Sequence, residues 1–133
     1  MTTTDQTEPA QQPDEPSAPS PGQAVRLPEP GSVIVTFEGA TTRIVLSGEI
    51  DAELGPELLE AADDALSGEL PVEVDSRLVT FMDSTGVAFL ARLASRAPRR
   101  VVLLDPPELV RFLIDTTRVS TLLDVVHRDA PPT

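Results

Sequence analysis

Residues 81–90 read Phe-Met-Asp-Ser-Thr-Gly-Val-Ala-Phe-Leu, with Asp83, Ser84, Thr85 and Gly86 set between two apolar runs. A hydroxyl directly after a carboxylate can attack a substrate, accept a phosphoryl group or cap a helix. Attack needs a base, and the only histidine, His127, lies in a polar C-terminal stretch. The string Asp-Ser-Thr-Gly superficially matches the Asp-Ser/Thr-Gly of aspartic proteases. It carries one residue too many, and there is no second copy to supply the paired carboxylate. Glu49, Asp51 and Asp83 could gather at strand ends around a divalent ion, but acidic loop residues are ordinarily just solvated, so no metal site is expected. The glycines are too scattered for a phosphate-cradling loop. An enzyme is therefore not expected, and neither is a cofactor.

The spacing predicts a helix over 84–96. On its wheel Val87, Leu90, Ala91 and Ala94 share one side, and Phe89 and Leu93 widen the apolar arc to about half the circumference. That is more apolar surface than contact with one sheet requires. Ser84 lies at the border of the arc with Ala88 one turn along, so its hydroxyl has only a methyl group beside it. Asp or Ser at a helix start satisfies free N–H groups, an effect of about 1 kcal/mol. A hydroxyl at the positive end of a helix is also a natural seat for a phosphoryl group, because the dipole and the free N–H groups stabilise an anion.

The elements that must hold this stretch follow from apolar periodicity. Val33–Phe37 and Arg43–Ser47 are β-rich runs joined at 38–42 as a hairpin, and strands are also expected at 71–75, 100–104 and 122–126. Helices are expected at 54–67, opened by Pro56, and at 106–114 after Asp105-Pro106-Pro107. Strands alternating with helices after a hairpin define an α/β fold: one small domain with a mixed sheet packed by helices. Residues 1–30 hold seven of the fourteen prolines and five acidic residues with no apolar period, a composition expected to stay disordered. The domain is then 31–126, and 127–133 reads as a loose C-terminus.

Composition excludes several classes of partner. The 133-residue chain has a formal charge of -12, and all ten of its cations are arginine. Nucleic-acid phosphates need clustered Lys or Arg, and the short Arg96–Arg100 stretch, flanked by acidic segments, reads as a solvated turn. Four phenylalanines are the only aromatic residues, too few for base stacking. There is no cysteine, no apolar run of membrane-spanning length and no visible signal peptide, so a cytoplasmic protein is expected.

Three motifs in order carry a family resemblance. Phe81–Leu90 resembles the signature of STAS domains of the anti-sigma factor antagonist type, Phe-Ile/Met-Asp-Ser-Ser/Thr-Gly-Leu-Gly. Leu46–Asp51, LSGEID, is similar to the family's strand-ending Gly-Glu-Leu/Ile-Asp, and Leu109–Val119 to its later helix and turn. The resemblance implies a protein that binds an anti-sigma factor serine kinase of the histidine-kinase-like ATPase fold and so frees a sigma factor. It also implies that the kinase phosphorylates Ser84, releasing the antagonist, and that a PP2C-type phosphatase restores it. Partner contact is then expected from the strand-end carboxylates Glu49, Asp51 and Asp83. On the helix it is expected from Thr85, Gly86, Ala88, Phe89 and Arg92, with Phe89 an anchor at the outer edge of the apolar arc. Other STAS proteins scaffold signalling complexes or serve transport systems, often without a serine after the aspartate. The chain departs from the pattern at Ala88 and Arg118, where the family has glycine, and in its acidic tail. The usual C-terminal helix is not expected from 127–133. Arg118 would be strained if the turn is kept with φ > 0.

Overall fold

The computed structural model describes residues 29–128. The first strand, β1 (Ser32–Glu38), turns through Gly39 and Ala40 into β2 (Thr41–Ile50), with Glu38 opposite Thr41. The turn is thus tighter than the five-residue link expected, because Gly39 takes φ +63° and lets two residues reverse the chain. From β2 onward the chain alternates: α1 (Gly55–Ser67), β3 (Val72–Met82), α2 (Ser84–Arg96), β4 (Val101–Leu104), α3 (Glu108–Thr116) and β5 (Leu123–Val126). The sheet order is β1-β2-β3-β4-β5, antiparallel at the first pair and parallel thereafter.

Parallel strands added always in one direction, through right-handed crossovers, place their helices on one face. Burial follows that rule. Every second residue of β2, from Thr42 to Ile50, is buried, and Arg43, Val45, Ser47 and Glu49 point to the less covered face. Ile44, Leu46 and Ile50 form one core with Leu58 of α1, Leu90 and Leu93 of α2, and Val110 and Ile114 of α3. On the other face Arg43 reaches Asp75 at 3.4 Å, and Glu38 and Glu73 at 3.8 Å.

The elements depart from expectation where local features override apolar period. β3 was expected to stop at Asp75 but runs to Met82. Its polar middle is buried and satisfied: Asp75 meets Arg43, and the Ser76 hydroxyl donates to the Leu104 carbonyl at 3.0 Å. Leu54 belongs to a 3-10 turn, Ala52–Leu54, and α1 begins at Gly55. α3 begins two residues later than expected, with Pro107 as its N-cap, and β5 begins at Leu123 because Val119–Leu122 form a second 3-10 turn. Arg118 does adopt the left-handed conformation, φ +69°, so the turn is kept without its glycine.

Glu29 already belongs to the sheet's margin, its carbonyl accepting the Glu49 N–H at 3.1 Å. Residues 1–28 and 129–133 lie outside the described residues, and so do most of the disorder expected before residue 31 and the expected loose end after Arg128.

Candidate functional site

The carboxyl ends of β2 and β3 lie side by side, tied by the Asp83 N–H to the Ile50 carbonyl at 3.2 Å. Each ends in an aspartate that closes an Asx cap. Asp51 Oδ1 accepts the Glu53 N–H at 3.1 Å, and Asp83 Oδ1 accepts the Thr85 N–H at 2.8 Å. Among the described residues no three His, Cys, Asp or Glu side chains converge in a metal-ligating group.

Asp83 alone is the cap of α2. The capping role open to Ser84 from sequence is therefore not the one it has: it is the first helical residue, exposed, and its hydroxyl makes no hydrogen bond among the described residues. The N–H groups expected to be free for an anion are also committed. Those of Gly86 and Val87 bond the Asp83 carbonyl at 3.0 and 3.3 Å, and that of Thr85 bonds its carboxylate. These three N–H groups are therefore not free to cradle a group placed on the exposed Ser84 Oγ.

Gly86 explains how α2 starts so abruptly. A Cβ there would stand 2.5 Å from Met82 Cγ and 2.8 Å from its sulfur, so the helix rests directly on the last residue of β3. This corrects its expected partner role, since Gly86 is buried and faces inward. Phe89 needs the same correction. It is only 4% exposed and part of the core, because α1 covers the flank of α2 that the wheel left open. The broad apolar arc serves two intramolecular contacts, with the sheet and with α1.

Between the two helices runs a groove of about 500 Å³, walled by Gly55, Pro56, Leu58 and Leu59 of α1 and by Thr85, Ala88, Phe89 and Arg92 of α2. It brings together four of the residues singled out from sequence, with Phe89 as floor and exposed Ala88, one turn from Ser84, on the rim. Arg92 Nη2 stands 3.7 Å from Asp63, and its buried Nε has no hydrogen-bond acceptor among the described residues. Glu49 and Asp51 do not join this groove. They line a separate recess of about 230 Å³ with Gly31, Glu53 and Glu57. Sequence reasoning missed the α1 wall, above all Leu59, which is 53% exposed. The signal was the Leu58-Leu59 pair: they lie about 100° apart on the helix, and only Leu58 is buried.

The family of sequences described as Mlab, STAS domain, matches residues 33–125, all of the sheet but its first and last residues, and all three helices. The chain is a STAS-domain protein. No protein of curated function matches it. Among solved structures, an anti-sigma factor antagonist from Mycobacterium paratuberculosis superposes with a TM-score of 0.68 at 21% identity, over 75% of this chain and 90% of that one. The anti-sigma factor antagonist SpoIIAA in its unphosphorylated form gives 0.59 at 20% identity, over 71% and 87%. A Thermotoga maritima protein described as a candidate antagonist of the same kind gives 0.59 at 12% identity, over 71% and 85%. The STAS domain here therefore has the fold of those antagonists, with Ser84 opening α2. None of its described helices is long and apolar enough to cross a membrane.

Proposed function

We propose that this STAS protein is an anti-sigma factor antagonist, itself without enzymatic activity, whose hold on an anti-sigma factor kinase ends when Ser84 is phosphorylated. The observation that carries this reading is the Ser84 hydroxyl: exposed, without a hydrogen-bond partner among the described residues, and relieved of capping by Asp83. The adjoining groove supplies the docking surface, through the exposed Leu59 and Ala88 and the half-buried Thr85 and Arg92. Phe89 supports that surface from beneath.

In the kinase step Ser84 Oγ attacks the γ-phosphorus of ATP, its proton passes to a base on the kinase, and ADP leaves. The product carries about -1.5 to -2 extra charge. With the neighbouring N–H groups already bonded, that charge and its hydration stay at the contact surface, where they oppose docking without rearranging the domain. A PP2C-type phosphatase returns the hydroxyl by hydrolysis.

The test is incubation with the cognate kinase and ATP, followed by intact-mass and fragment analysis. One added phosphate on Ser84, absent in Ser84→Ala, with loss of kinase binding, is the expected result. Ser84→Asp, with one charge instead of nearly two, weakens binding less than phosphate does. Phosphate mapped to Thr85 would overturn the residue assignment. Absence of phosphorylation, with a transport ATPase or a signalling scaffold recovered as the stable partner, would replace the switch by one of the other STAS roles.

A further inference from the structure

The two edges of the sheet are unlike. β5 is four residues long, carries Asp124 and is crossed by Arg100, which bonds Asp124 at 2.8 Å and the Leu123 carbonyl at 2.9 Å. Short, charged edges of this kind resist pairing with another chain. β1 has none of these protections. It is seven residues long, SVIVTFE, with no proline, no bulge in its pairing with β2 and no charge before Glu38. Ile34 is 54% exposed and Phe37 60% exposed. Among the described residues no strand pairs with the outer side of β1, so this edge presents a row of unpaired N–H and C=O groups between apolar side chains.

We propose that this edge binds a second copy of the chain, with the two β1 strands antiparallel about a two-fold axis through Val35, giving one continuous ten-stranded sheet. The strand's own composition favours this occupant. About that axis Val33 faces Phe37 of the partner subunit, Ile34 faces Thr36 of the partner subunit, and Ser32 faces Glu38 of the partner subunit. The first is an aromatic against a β-branched residue, a favourable cross-strand pair, and the pairing covers both exposed apolar side chains. Gly31 falls opposite Gly39 of the partner subunit, so the strand ends meet without a large side chain. The two Glu38 carboxylates lie at opposite ends of the ribbon, roughly 20 Å apart by strand rise. Each is held by its own Arg43 at 3.8 Å. A two-fold pairing of this kind closes on itself and leaves only the blunted β5 edges outermost.

Seven residues a side make an interface at the small end of the range, so the dimer is weak, with a dissociation constant on the order of 100 µM. Each chain also carries a formal charge of -12, and salt that screens this repulsion tightens the dimer, the reverse of an interface made of ion pairs.

Sedimentation equilibrium of the full chain from about 10 µM to about 1 mM decides the matter. The expected result is reversible monomer–dimer exchange, several-fold tighter at about 0.5 M than at about 0.05 M salt. Ile34→Lys, at an outward position, should weaken association by about tenfold or more with an unchanged melting temperature. Val126→Lys on the other edge should leave it unaltered. Mixing Ile34→Lys with Thr36→Glu should restore pairing as a heterodimer, because only the Val35-centred register sets those positions face to face. A monomer at every concentration, a dimer indifferent to Ile34→Lys, or one that loosens with salt would each overturn the proposal.

Discussion

Asp51 and Asp83 end neighbouring parallel strands and close the same two-residue Asx cap, yet the chain behaves differently after each. After Asp51 come Ala52, Glu53 and Leu54, and the backbone makes a 3-10 turn before α1 begins. After Asp83 come Ser84, Thr85 and Gly86, and α2 begins at once. The third residue accounts for the contrast. Leu54 fills the space beside Gly31, its Cδ2 3.1 Å from where a Cβ would stand, whereas Gly86 has no side chain and lets α2 sit on Met82. One cap chemistry thus yields a spacer in one place and an immediate helix in the other. Only the immediate helix exposes a hydroxyl at its first residue.

The sharpest way to break this comparison is inside α2. Phe89→Ala should lower unfolding free energy in urea by about 3–5 kcal/mol, the loss expected of a buried aromatic. A small stability change with a large loss of partner binding would return Phe89 to the surface role expected from sequence. Gly86→Ala tests the third residue. In an ordinary helix interior this change stabilises by about 1 kcal/mol, but here the new methyl meets buried Met82, and a net loss of about 1–2 kcal/mol is expected. The smallest effects compare the caps in thermal unfolding. Asp83→Ala should cost about 1 kcal/mol, Asp51→Ala about 0.5 kcal/mol because it closes only a three-residue turn, and Ser84→Ala less than about 0.5 kcal/mol. A loss at Ser84 equal to that at Asp83 would assign part of the cap to the hydroxyl.

Much of the domain was legible from residue order because period and punctuation agree in it. Helix α2 falls on 84–96 as its wheel requires, and the β1–β2 hairpin and the five-strand count follow from short β-branched runs. The second half of β3 was not legible, because Asp75, Ser76 and Arg77 look like a loop until Arg43 and the Leu104 carbonyl, distant in sequence, are brought to them. The site divides similarly. Ser84 at the head of α2 follows from local spacing alone. The inward turn of Phe89 depends on where α1 lies, which no spacing within 84–96 can express. The family resemblance rests on motifs in the strands and helices, and the match over residues 33–125 settles its STAS part.

Arg118 has one further consequence, for motion. Its left-handed backbone costs about 1–2 kcal/mol relative to a glycine-like turn. The turn is held from both sides: Thr117 Oγ1 donates to the Leu113 carbonyl at 2.7 Å, and Thr121 Oγ1 donates to the Arg118 carbonyl at 2.7 Å. Opening those clasps would relieve that cost, which lowers the net stability of the link from α3 to β5. β5 is also the outermost strand, paired only to β4 over four residues. Amide exchange is therefore expected to be faster in β5 than in the β2–β3 centre, and equal protection of the two would remove this consequence.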